Sequence, residues 1–119
     1  MSKESKEQRK ERQALEEWQM VDVLLRAGNI VDAEVRLCSE RKWRADYLIN
    51  GCVCLEIDGI GFGHMSRAGV LRDIDKSNQV AANGWRLCRV TRDMVADGRA
   101  LDVLAACGVR VEISPSPSA

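Results

Sequence analysis

Asp46, Glu56 and Asp58 are the residues of this chain best placed to do chemistry. They lie on two hydrophobic segments joined by Asn50-Gly51, a dipeptide that favours a tight turn. Folding those segments back on one another gathers three carboxylates at one end of a small sheet. Such a cluster repels itself, and burying it costs several kcal/mol unless a cation or partner compensates. Carboxylate oxygens are the donors of a hard cation, most simply Mg²⁺, with Mn²⁺ as the natural substitute. That chemistry points to metal-assisted hydrolysis of a phosphodiester.

The turn decides whether the carboxylates meet, because side chains alternate along a strand. A two-residue turn at Asn50-Gly51 would pair Ile49 with Cys52 and send Asp46 to the face opposite Glu56. An odd loop, such as Ile49-Asn50-Gly51 with Gly51 left-handed in a bulge, puts Asp46, Cys54, Glu56 and Asp58 on one face. It also collects Tyr47, Val53, Leu55 and Ile57 on the other. That second sorting gives a continuous apolar face, so the hydrophobic pattern predicts a three-residue or bulged turn.

Around the hairpin, Leu15, Trp18, Val21, Leu24 and Leu25 recur at helical spacing and predict a helix over about Lys6–Ala27, stopped by Gly28-Asn29. Its first ten residues are nearly all polar, so they either fray or form an exposed charged arm. Glu34–Cys38 reads as a short strand, and Trp43–Ile49 with Cys52–Asp58 as the hairpin. Gly59 to Ser66, with three glycines, His64 and a serine, is a loop that admits close approach of a ligand. Val70–Ala82 reads as a helix ended by Asn83-Gly84, and Trp85–Thr91 as an apolar strand. A helix beginning at Asp93 or Asp97 and ending near Ala106, then a last strand over Val109–Ile113, complete the order α-β-β-β-α-β-α-β. This predicts one α/β domain, a mixed sheet flanked by helices with a right-handed crossover into Trp85–Thr91. Residues 1–28 form a charged helical arm leading into it, 29–113 the core, and 114–119 a disordered Ser/Pro tail.

A chain of 119 residues holds one modest core, and 45% hydrophobic with 30% charged residues suits a soluble globular protein. No apolar run approaches the roughly 20 residues of a membrane span, and the charged N-terminus lacks the apolar segment of a signal peptide. Five cysteines without Cys-x-x-Cys spacing read as small buried hydrophobes in a reducing cytoplasm. A formal net charge of zero argues against binding nucleic acid through the overall field. Local basic groups, Arg36, Arg41, Lys42, Arg44 and Arg67 foremost, remain able to track phosphates beside a cation that offsets the acidic site.

The series Glu34-Val35-Arg36, Arg41-Lys42-Trp43-Arg44-Ala45-Asp46-Tyr47, Leu55-Glu56-Ile57-Asp58-Gly59, Gly63-His64, Asp75-Lys76-Ser77-Asn78 and Gly84 to Thr91 resembles the PD-(D/E)XK, or restriction-endonuclease-like, superfamily. The resemblance is closest to small phage and bacterial endonucleases related to the very-short-patch repair nucleases, and it covers about residues 30–105 in order. It implies a restriction-endonuclease-like mixed sheet and an endonuclease that cuts DNA with Mg²⁺. Asp46 would be the central metal ligand, Glu56 and the Ile57 carbonyl would complete the primary site, and Glu34 would be an outer ligand. Asp58 stands where the superfamily usually carries lysine, so it would bind a second metal instead. Lys76 is the candidate for a lysine migrated onto the following helix, and His64 for a general base or an orienter of water. Trp43 and Trp85 read as core.

A domain this small cuts one strand at a time, so double-strand cutting or junction resolution requires a homodimer. Two other readings stay open on the sequence: a non-catalytic DNA-binding or assembly module on the same fold, and a metal-dependent RNA nuclease.

Overall fold

The computed structural model describes residues 3–59 and 66–113. Helix α1 (Lys6–Arg26) is followed by strands β1 (Val31–Arg36), β2 (Arg44–Ile49) and β3 (Val53–Asp58), then helix α2 (Arg67–Ala82), strand β4 (Arg86–Thr91), and helices α3 (Arg92–Asp97) and α4 (Arg99–Ala106). The strands form one mixed sheet in the order β1-β2-β3-β4, antiparallel through β3 and parallel between β3 and β4. The α/β class and the mixed sheet are those predicted. A parallel pair needs a long crossover, which α2 supplies.

Local signals fix the helix starts. Ser5 accepts from the Gln8 amide at 3.1 Å while the Gln8 side chain accepts from the Ser5 amide at 2.8 Å, a reciprocal capping box. The polar N-terminal residues are therefore helical from Lys6 onward and exposed. Ser66 caps α2 through the Gly69 amide at 3.0 Å, so this helix starts three residues before the predicted Val70.

One face of the sheet is covered by α1, α3 and α4. There Ile49, Val53, Leu55, Cys88 and Val90 pack with Met20, Leu24, Val95, Leu104 and Val109. The other face is covered by α2, where Leu37, Ala45, Leu48, Cys54 and Val80 form a smaller cluster with Trp43 and Trp85 packed against it. Both tryptophans thus serve the core, as predicted.

Four predictions need correction. Helix α1 buries Met20 and Leu24 and leaves Leu15, Trp18 and Leu25 exposed, so its inward face is rotated from the predicted stripe. Strand β1 begins at Val31 rather than Glu34 because the backbones are joined early: the Ile30 amide donates to the Asn50 side chain at 2.9 Å, and the Asn50 amide to the Ile30 carbonyl at 2.8 Å. No strand forms over Val109–Ile113. Gly108 at φ 90 turns the chain, the Val109 amide donates back to Leu104 at 3.0 Å, and the Arg110 carbonyl accepts from the Asn29 side chain at 2.6 Å. The polar groups of this segment are spent on a helix cap and on Asn29, not on a fifth strand. The predicted helix to Ala106 is likewise two helices, α3 and α4, broken at the left-handed Gly98.

Among the described residues no helix is long and apolar enough to cross a membrane.

Candidate active site

The hairpin adopts the odd register. Ile49 pairs with Val53, which leaves Asn50, Gly51 and Cys52 in the loop. Asn50 and Gly51 both have positive φ, 55 and 68, and the Cys52 amide closes the turn on the Ile49 carbonyl at 3.1 Å. The extra residue is therefore Cys52, on the far side of the turn from Ile49. Asn50 tolerates its left-handed backbone because both ends of its amide are bonded, to the Ile30 amide and to the Asn29 side chain at 2.9 Å each.

The β2–β3 ladder closes with Tyr47 opposite Leu55, and just beyond it Asp46 and Glu56 are interacting neighbours. Asp46 Oδ2 accepts from the Ile57 amide at 2.7 Å, which fixes the carboxylate across the strands. Ile57 thus meets Asp46 through its amide. From α2, Lys76 Nζ reaches to 3.0 Å of Glu56 Oε1, with the glutamate side chain only 12% exposed. The two form a close, largely buried ion pair, with the ammonium as the charged neighbour of Glu56 Oε1. Burial pushes the Glu56 carboxyl up to about 7; Lys76 opposes the shift and Asp46 adds to it. Next to it on β3, burial pushes the Cys54 thiol up to about 11, and the Glu56 charge acts the same way.

Asp46, Glu56 and Lys76 are brought together, and other predicted residues are not. Asp58 accepts from Arg89 of β4 at 2.9 and 3.2 Å, and the same guanidinium donates to Asp73 of α2 at 2.9 and 3.0 Å. A carboxylate held on both oxygens by Arg89 is committed to an ion pair. Glu34 takes a left-handed φ of 51, leaves the β1–β2 ladder, and is 74% exposed with Arg44 at 3.6 Å. Among the described residues, no group of three or more His, Cys, Asp or Glu side chains is placed to hold a metal, so the predicted larger ligand set is not assembled. His64 lies outside the described residues.

A small cavity of about 40 Å³ opens between the sheet and α2, lined by Glu56, Asp58, Asp73, Lys76, Ser77 and Arg89 among others. It has room for an ion or a few waters but not for a nucleotide. Arg36, Arg41, Lys42, Arg44 and Arg67 are all exposed. Because β2 runs antiparallel to β3, the start of β2 and the β1–β2 loop lie at the same sheet end as Glu56 and Asp58. Helix α2, with Arg67 at its start, follows from that end. Arg41 stacks over the Trp43 ring at 4.9 Å from its centroid.

Asp73 is the site residue the sequence reading missed. It sits three residues before Lys76 and so shares its helical face, a spacing that was there to be read. The pairing of Arg89 with Asp58 needed the parallel register, in which Glu56 faces Arg89 and Asp58 faces Thr91.

No family model, no curated protein and no solved structure matches this chain.

Proposed function

We propose that this chain is a metal-dependent DNA endonuclease with a restriction-endonuclease-like core. The observation that carries the reading is the convergence of Asp46 and Glu56 from the hairpin with Lys76 from the following helix. Two carboxylates and a lysine at one sheet end are the groups that the resemblance to the superfamily requires, with the lysine moved from β3 to α2. The donors suit Mg²⁺, which commonly takes one or two carboxylates and keeps the rest of its shell as water and substrate phosphate. Glu56 Oε1 has the Lys76 ammonium at 3.0 Å, so an ion held here would share this carboxylate with the lysine.

Asp46 and Glu56 would hold the ion. When bound, Mg²⁺ supplies a low-pKa water and charge neutralisation at the phosphate. Asp46 is oriented by the Ile57 amide and holds its place across the hairpin. Lys76 holds a positive charge 3.0 Å from Glu56, where it balances the carboxylate at rest and would neutralise charge on a bound phosphate. The exposed basic residues at the same end would follow the DNA backbone, and cutting both strands would require two copies.

The test is incubation of nicked, mismatched and branched labelled DNA, and of RNA, with the protein in Mg²⁺, Mn²⁺ or EDTA, beside the Asp46→Asn variant. Metal-dependent cutting of DNA that the substitution abolishes is the expected result. The second reading, a non-catalytic DNA-binding or assembly module, is favoured by one feature: Asp58, at the superfamily's lysine position, is occupied by Arg89. Binding without cutting on every substrate would establish it in place of the nuclease.

A further inference from the structure

Cys107, the residue that closes α4, places its Sγ 3.4 Å from Sγ of Cys88 on β4. The two cysteines are 19 positions apart in the chain and are not bonded to one another. Cys88 is buried in the core beneath α4, whereas Cys107 is only half-buried. Cys107 also lines an open cavity of about 170 Å³ with Cys52, Arg86 and Gly108. Arg86 donates to the Cys107 carbonyl at 2.6 Å, which holds a guanidinium at the edge of that opening. One thiol is therefore reachable beside a positive charge, and the second waits directly behind it. This corrects the sequence expectation of five small buried hydrophobes: Cys54 and Cys88 are buried, Cys38 and Cys107 are half-buried, and Cys52 is exposed.

We propose that Cys107 and Cys88 form an oxidisable dithiol that reacts with anionic low-molecular-weight disulfides of the glutathione type to give an intramolecular disulfide. The Cys107 sulfur attacks the small disulfide, forming a mixed disulfide and releasing one thiol that carries off the Cys107 proton. The Cys88 sulfur then attacks the Cys107 sulfur and releases the second small thiol with the remaining proton. One external disulfide is reduced to two thiols while two protein thiols become one disulfide, so atoms and electrons balance. Access assigns the roles: half-buried Cys107 at the opening is the entry point, and buried Cys88, 3.4 Å behind it, is the resolving group. The bond would join the end of α4 to β4 on the sheet face away from Glu56, and the inference does not depend on the nuclease reading.

The experiment treats the full chain with oxidised glutathione, blocks remaining thiols, and maps the unreduced protein by mass spectrometry, beside Cys52→Ser and Cys107→Ser. The expected product is a monomer short of two hydrogens with Cys88 linked to Cys107, unchanged by Cys52→Ser and absent in Cys107→Ser. Its thermal midpoint should rise by roughly 5 °C or more and return on adding a dithiol reductant, because the bond restricts the unfolded chain. A stable glutathione adduct on Cys107 with Cys88 still free would overturn the proposal. So would a Cys52–Cys107 bond, a disulfide-linked dimer, or no oxidation of the folded protein.

Discussion

On the face of the sheet covered by α1, α3 and α4, the buried cluster is apolar, from Met20 and Leu24 to Leu104 and Val109, with buried Asn29 at its edge bonded to the Leu24 and Arg110 carbonyls. On the face covered by α2 the buried cluster is less than half that size among the described residues, and beside it lie Asp46, Glu56 and Lys76. The first arrangement gains free energy from each group it removes from water. The second removes the Glu56 carboxyl from water at a desolvation cost that the Lys76 ammonium only partly offsets. One face supplies the stability that lets the other hold a strained electrostatic arrangement, so substitutions on the two faces should separate cleanly into folding defects and activity defects.

The largest separation is expected from Asp46→Asn. The asparagine carbonyl can still accept from the Ile57 amide, so the thermal midpoint should stay near that of the parent. Loss of the carboxylate charge should lower cutting by about 10³-fold or more if Asp46 holds the ion. Its counterpart across the sheet is Leu104→Ala, a residue with no exposed surface on the apolar face. That substitution should lower stability by about 2–5 kcal/mol in denaturant melts while the fraction still folded cuts at the parent rate. A rate lost in Leu104→Ala, or a large stability loss in Asp46→Asn, would mean that the faces are not independent.

Glu56→Gln tests the cost of the buried charge. The folded-state value of about 7 lies above the ordinary 4.5, so the folded protein holds this proton more tightly than the unfolded chain does. The linked stability is fully present below about pH 4.5 and is lost as pH rises through about 7. Glutamine removes that loss, so at pH 8 the variant should be about 1–3 kcal/mol more stable than the parent, with little difference at pH 4. Mg²⁺ at pH 8 should raise the midpoint of the parent and not of the variant. Lys76→Met sharpens the same point: without the neighbouring ammonium, Glu56 should titrate above about 7, readable from its carboxyl resonance, and cutting should fall about 10²-fold.

The hairpin and its site were legible in the sequence because alternation leaves no middle course. A one-residue slip would have turned Tyr47, Val53, Leu55 and Ile57 toward the acidic face and Asp46 away from Glu56. Lys76 was legible from its place on the helix after β3. The burial of α1 was not, because Leu15, Trp18 and Leu25 are as apolar as Met20 and Leu24, and only the packing of α3 and α4 selects between the two stripes. Val109–Ile113 has strand-like composition, yet Gly108 and Asn29 engage its backbone first. Asp58 has the chemistry of a metal ligand, and only the lateral approach of β4 shows that Arg89 takes it.

Arg89 is where the smallest effect should be found. Its guanidinium bridges Asp58 on β3 to Asp73 on α2, so it ties the strand carrying Glu56 to the helix carrying Lys76. The arginine is 38% exposed and its partners 41% and 36%, so water screens much of the attraction. Arg89→Ala should therefore lower stability at pH 7 by less than about 1 kcal/mol, and 0.5 M salt should shrink the difference further. Arg89 holds the Asp73 carboxyl below its usual range, so its contribution is present above the ordinary value of 3.8 and fades as pH falls through the lowered one. The parent and variant should then converge in strong acid. Cutting should stay within about threefold of the parent if the bridge only positions the two elements. A clear gain in Mg²⁺ affinity on freeing Asp58 would instead make this carboxylate a ligand restrained by Arg89, and would move the boundary of the active site outward along β3.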